Sequence, residues 1–164
     1  LGENSALSVY GFDISREMVR LAAKRGNITA FVANMAAIPV ADDSFDFATH
    51  LFAPFNENEF SRILKPCGIL YTVIPGSHHL WGLKQAVYDT PYLNDEKLPE
   101  TKALKLEGFQ KITASIRLET KEDIEAVFHM TPYYFHTSEA DKQKLSAYEQ
   151  LDTQIEFIIA KYVE

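Results

Sequence analysis

This chain has one cysteine, Cys67, no apolar run long enough to span a bilayer, and no surplus of positive charge. A single thiol excludes a disulfide framework, and a zinc site built from cysteines, within the chain. It fits a reduced, cytoplasmic setting. No signal peptide or spanning segment is legible, so no membrane partner is expected. A formal net charge of −7 argues against a broadly basic clamp on nucleic acid. Recognition of RNA by a local pocket or a companion domain stays compatible with it. No internal repeat or low-complexity segment is found. The glycines never gather into a glycine-rich turn behind a first strand.

What is present is 164 residues with 46% hydrophobic content, one domain's worth of chain able to bury a core. Ser8–Asp13 reads as a buried strand running into a helix from about Ser15 to Arg25, which Gly26 stops. In a doubly wound nucleotide-binding fold, an acid at the tip of the second strand accepts hydrogen bonds from ribose hydroxyls. It sits about 20 residues after a glycine-rich first turn. Here the acid is Asp13, so that turn would precede Leu1. The chain therefore reads as the downstream part of a larger nucleotide-binding protein, its first βα unit missing. A first residue that is not Met fits a fragment or a processed product.

The pattern continues with strands at Ile28–Val32, Phe45–Leu51 and Ile69–Ile74, and a helix at Asn56–Leu64 capped by Asn56. Residues 33–43 read as a loop or short helix. This alternation predicts an α/β fold with a mostly parallel sheet. The second half differs. A helix over Ser77–Tyr88 and an irregular excursion over 89–107 suggest a lid or insertion, 76–107 in all, within a single domain over 1–164. A strand follows at Lys111–Leu118. Two capping boxes, Thr120 with Asp123 and Ser138 with Asp141, open helices to about His129 and Gln150. Ile155–Val163 reads as a closing strand, antiparallel to Lys111–Leu118 and at the sheet's edge.

Three sets of residues carry candidate chemistry. Asp13 either caps the next helix or binds ribose. Asn34, at the end of the next strand, can hydrogen-bond one edge of an adenine while Met35 packs on its face. His78 and His79 follow the Ile69–Ile74 strand, at the edge where open α/β sheets bind ligands. One of them contacts substrate, or His78 only helps start the helix. Adjacent histidines without a third ligand do not make a metal site.

The order of Asp13, Asn34-Met35, Ile38-Pro39-Val40 and Phe45-Asp46 resembles the class I S-adenosylmethionine-dependent methyltransferases. Arg62-Ile63-Leu64-Lys65-Pro66-Cys67-Gly68 is similar to their "LKPGG" helix–turn–strand signature, with Cys67 in place of the first glycine. The stretches Pro75–Lys84, Glu107-Gly108-Phe109 and Met130–Tyr134 are similar to the ribosomal large-subunit guanine-N1 methyltransferases, which act on one guanine in a 23S RNA hairpin loop.

The resemblance implies a Rossmann-like class I methyltransferase sheet with an antiparallel C-terminal strand. It implies S-adenosyl-L-methionine as cofactor, held by Asp13, Ile14, Asn34 and Met35. Zinc would belong only to an absent N-terminal module. The 23S rRNA hairpin loop would be the partner, with a homodimer possible as in relatives. The segment after Phe45–Leu51 would face the target atom, with Phe52 and Phe55 stacking a base and His50 accepting a proton, or packing only within the strand. Phe55, His78, Lys84, Tyr133 and Tyr134 would contact substrate. Lys84 would meet phosphate and the tyrosines an unpaired base; ordinary solvation and packing are the plain alternatives. A small-molecule methyltransferase and a non-catalytic interaction domain are the competing functions. Without its first strand the sheet should show a gap, a rearrangement or a replacement strand, and the chain alone should bind cofactor poorly.

Overall fold

A computed structural model describes residues 7–164. In chain order the elements are β1 (Tyr10–Asp13), α1 (Arg16–Ala23), β2 (Thr29–Val32), β3 (Phe45–Leu51), α2 (Glu57–Ile63) and β4 (Leu64–Pro75). They continue with α3 (Trp81–Val87), β5 (Lys105–Leu118), α4 (Lys121–His129), α5 (Tyr133–His136), α6 (Glu139–Lys144) and β6 (Leu151–Val163). Side-chain caps start most of the helices. Ser15, Asn56, Thr120 and Ser138 each accept a hydrogen bond from the backbone N–H three residues on, satisfying a donor the helix leaves open.

The strands form a parallel pair, β1–β2, and a four-stranded sheet in the order β3-β4-β6-β5. β3 runs parallel to β4, whereas β6 is antiparallel to both of its neighbours. The sheet is thus mostly parallel with an opposed C-terminal strand. Among the described residues no ladder joins β1 to β3, so the sheet is divided there, a gap where one was expected. The two edges meet through side chains at their starts, the ring of Tyr10 standing edge-on to Phe45 at 5.6 Å.

The halves are tied by Phe12, Phe31 and Met35 packing against the core of the larger sheet, and by polar contacts. Arg62 on α2 donates to the carbonyls of Ile38 and Val40 and to Asp42 and Glu59, while Glu59 accepts from the N–H of Ile38. That clamp fastens the β2–β3 connection, which contains no helix, onto α2. Beneath it Ile38, Phe60, Leu64, Leu70 and Tyr162 form one core. A second core joins α3 to α4 through Leu83, Val87, Ile124 and Phe128.

Three elements differ from expectation. β6 lies inside the sheet, not at its edge, because its alternate residues Ile158, Ala160 and Tyr162 are buried. The edge strand beside it is β5, which starts early because a bulge at Glu107 lets Leu106 and Gly108 both keep partners on β6. α3 starts late, at Trp81. The preceding residues are held by β6 instead: Gly76 N–H donates to Glu156 O at 2.8 Å and Leu80 N–H to Gln154 O at 2.7 Å. A Cβ on Gly82 would stand 2.1 Å from the carbonyl oxygen of Asp152, so only glycine lets α3 lie this close to β6.

Cys67 adopts φ 65°, a left-handed conformation that costs a non-glycine residue roughly 1–2 kcal/mol. Cys67→Gly should stabilise the fold by about 0.5–1 kcal/mol in urea titrations, glycine's greater unfolded-state entropy offsetting part of the relief. Arg62 hydrogen bonds hold Glu59 down at about 2, and Lys111 does the same for Glu96. Depressed carboxyls stabilise the fold above their ordinary range, and that contribution is lost as pH falls through the folded values. The thermal midpoint should therefore fall between about pH 4.5 and 2, less steeply in Glu59→Gln; equal slopes would refute the assignment.

Candidate functional site

The carboxyl ends of parallel strands form the ligand edge of open α/β sheets. Asp13 closes β1, and its Oδ1 accepts from Ser15 N–H at 2.7 Å. It therefore supports the residue that caps α1, while Oδ2 has no partner among the described residues. Pairing of β1 with β2, with Ala33 N–H donating to Asp13 O at 3.2 Å, brings Asn34 to the same rim. Asn34 Oδ1 accepts from Ala36 N–H at 2.9 Å, which leaves its amide Nδ2 to donate outward. Ile14, 73% exposed, stands beside them, and Met35 is half-buried against the core. Its carbonyl accepts from Asn56 Nδ2 at 3.1 Å.

A second cluster follows β3 and β4. Phe52, just past β3, has φ 50° and is 55% exposed. Its ring lies nearly parallel to that of His79, at 5.9 Å and 21°. Phe157 of β6 touches both, at 5.6 Å from Phe52 and 4.9 Å from His79. Behind the rings Glu156 is buried. Its side chain accepts from the N–H of His78, Ser77 Oγ, Lys111 Nζ and Thr113 Oγ1. Those donors, the His78 N–H first, lower its pKa, so it stays a carboxylate. His78 is exposed and turned to Ser77 Oγ and the edge of Trp81.

The remaining expected residues lie away from the open rim, and each departure has a physical cause. His50 is buried among Phe55 and Phe60. Its Nε2 donates to Ala53 O at 2.8 Å, and its Nδ1 lone pair is enclosed without a partner. As arranged it cannot take a proton from a ligand at the rim. Burial also lowers its pKa. Phe55 packs inside the core against Phe60 and Tyr162, so it presents no free face. Lys84 is not on the surface: its Nζ donates to Tyr92 O at 2.9 Å and Asn94 Oδ1 at 2.7 Å, under the rings of Tyr92 and Tyr133. Burial lowers its pKa as well. It anchors the irregular segment 88–104 and reaches no phosphate.

Tyr133 donates its hydroxyl to Asn94 Oδ1 at 2.7 Å, and burial pushes it up to about 12. Tyr134 is packed against Phe128, His129 and Lys142. The exposed apolar side chains of this corner are Met130 and Phe135. Sequence reasoning missed Phe157, Glu156 and the choice of His79 over His78. The period-2 alternation of β6 was the one available signal for Phe157.

Residues 1–68 match a family model described as "Methyltransferase domain". Over 83 residues the chain is 37% identical to a Bacillus subtilis protein named "Putative 23S rRNA (guanine-N(1)-)-methyltransferase YxjB", covering 49% of this chain and 29% of that protein. A Micromonospora griseorubida protein carrying the same description is 28% identical over 134 residues, 78% of this chain and 45% of its own length. The chain spans less than half the length of these curated relatives. A Bacillus halodurans structure titled "putative methyltransferase" superposes with a TM-score of 0.53 at 16% identity, covering 96% of this chain and 83% of that one. The fold is that of a class I methyltransferase.

That fold implies S-adenosylmethionine as cofactor, and the rim of β1 and β2 fits its adenosine half. Asp13 Oδ2 can accept from ribose hydroxyls, Asn34 Nδ2 can donate to a base edge, and Ile14 and Met35 offer apolar contact to a base face. Lys84 supplies a test of the neighbouring framework. Lys84→Ala strands the Tyr92 carbonyl, takes one of two donors from Asn94 Oδ1 and opens a cavity, so it should cost about 2–4 kcal/mol. Lys84→Met, which fills the volume, should cost less. Denaturant midpoints within experimental error of wild type for both variants would overturn the anchoring role.

Proposed function

We propose that this domain serves S-adenosylmethionine-dependent methyl transfer to N1 of a guanine in a 23S ribosomal RNA hairpin loop. The observation that carries the reading is an aromatic wall, Phe52 with His79 and Phe157, past the carboxyl end of β3, while Asp13 Oδ2 and Asn34 Nδ2 stand open past the carboxyl ends of β1 and β2. Likeness to two relatives named for guanine-N1 methylation supports the choice of acceptor.

When bound, the cofactor supplies a methyl group already activated on a sulfonium. The protein's share is placement. Asp13 and Asn34 hold the ribose and adenine, with Ile14 and Met35 against the base. Phe52 stacks a guanine splayed out of its loop. Alignment of N1 with the methyl carbon converts an encounter into a near-unimolecular step. The His50 lone pair is enclosed and that of His79 Nδ1 is already bonded, so neither ring takes the N1 proton. That proton passes to water at the open rim. Met130 and Phe135 offer exposed apolar surface to a neighbouring unpaired base.

A small flat acceptor is the second reading. It is favoured by the engagement of Lys84 with Asn94 and of Lys111 with Glu96 and Glu156, which leaves neither ammonium free to meet phosphate. One assay separates the two. The full-length product of the encoding gene is incubated with methyl-labelled S-adenosylmethionine and protein-free 23S rRNA, and the RNA is digested to nucleosides. N1-methylguanosine carrying the label is the expected result. Label in another nucleoside, or only in small molecules, rejects the guanine assignment.

A further inference from the structure

We propose that His79 is the specificity-determining donor of this site, presenting an Nε2–H between Phe52 and Phe157 to the carbonyl oxygen of a flat acceptor base. The proposal rests on the methyltransferase reading above and adds how the base is chosen.

The geometry fixes the tautomer. His79 Nδ1 lies 3.3 Å from the backbone nitrogen of Glu156, whose N–H points at it. A backbone amide can only donate, so Nδ1 must hold its lone pair, and the neutral ring then carries its hydrogen on Nε2. Protonating Nδ1 would set two hydrogens against each other. The surroundings agree: partial burial and the nearby Lys84 ammonium disfavour the charged ring, outweighing the Glu156 carboxylate. Lys111, His78 and Glu96, which shares the Lys111 ammonium and accepts from Ser77 N–H, are the other titratable groups around Glu156.

Nε2 has no hydrogen-bond partner among the described residues, and it is not among the buried unpaired atoms. It is a fixed donor left open. Its ring plane is set by Phe52 on one side and Phe157 on another. Such a donor suits the oxygen next to N1 of guanine. Adenine carries an amino group there, so donor would face donor, which a site with a fixed polar group rejects strongly.

The test uses the full-length protein labelled with 15N-histidine. Long-range 1H–15N spectra should show His79 as the Nε2–H tautomer. Addition of guanosine 5′-monophosphate should shift Nε2, and adenosine 5′-monophosphate should not. In methylation assays, His79→Phe keeps the stacking surface but loses the donor. It should lower kcat/KM on the guanine substrate by about 10- to 100-fold and reduce guanine-over-adenine selectivity, with cofactor affinity unchanged. His79→Gln, which retains a donor, should recover part of both.

An Nδ1–H tautomer, an equal response to both nucleotides or to neither, or wild-type rate and selectivity in His79→Phe would overturn the inference. If the guanine nucleotide shifts Nε2 selectively but no N1-methylguanosine forms, the recognition stands and the methylation reading fails. If N1-methylguanosine forms while His79→Phe is indifferent, the reverse holds.

Discussion

The site depends on where Glu156 sits. Its side chain gathers donors from the loop after β4 and from β5, and its backbone carbonyl receives Gly76 N–H. Its own N–H orients His79. One residue of an inserted antiparallel strand thereby fixes two neighbouring strands and the rim between them. A buried carboxylate is expensive unless its oxygens are satisfied, and here four donors satisfy them. Gly76 is required by the same packing, since a Cβ there would meet the Glu156 side chain at 2.4 Å.

The two halves of the rim are built differently. On the side of Phe52 and His79, loops are braced by β6 and by rings in contact. On the side of Asp13 and Asn34, α1 buries no residue, and Met18 and Leu21 of its apolar stripe are exposed. The short parallel pair is held by Phe12 and Phe31 packing against the main core, and the Arg62–Glu59 clamp and Asn56 reaching Met35 O add polar ties to that contact. Ion pairs at a surface contribute modestly alone. This one gains from bidentate geometry and from the backbone groups it satisfies at the same time.

Much of this was legible beforehand because it rests on local signals. Ser15, Asn56, Thr120 and Ser138 announced helix starts, and alternation of apolar strands with helices announced the parallel sheet. Asp13 and Asn34 come to one rim because each ends a strand and the strands are consecutive. What escaped depends on contacts distant in sequence. Lys84 looks like a solvated lysine until Tyr92, Asn94 and Tyr133 converge on it from an irregular segment and a one-turn helix. The choice of His79 over His78 is made by the Glu156 N–H, 77 residues away. The late start of α3 has the same origin, for the backbone of Gly76–Leu80 finds its partners on β6 before a helix can claim them.

Strain shows which geometry is being held. Phe52 and Leu80 both adopt left-handed backbone, at φ 50° and 56°, each at roughly 1–2 kcal/mol. Phe52 N–H is retained by Val73 O, and Leu80 by burial and Gln154 O, so both loop shapes exist before any ligand arrives. Methyl transfer needs its reacting atoms within about 3–3.5 Å and in line. On the proposed function, the rigid wall of Phe52, His79 and Phe157 meets half of that demand. The other half falls on the spacing between Asp13 and Phe52, across the one place where no backbone ladder joins the strands. On the function proposed above, the clamp at Arg62, the packing of Phe12 and Phe31 and the contact of Tyr10 with Phe45 bear on reactivity as well as on stability, because they set how far Asp13 and Asn34 stand from Phe52.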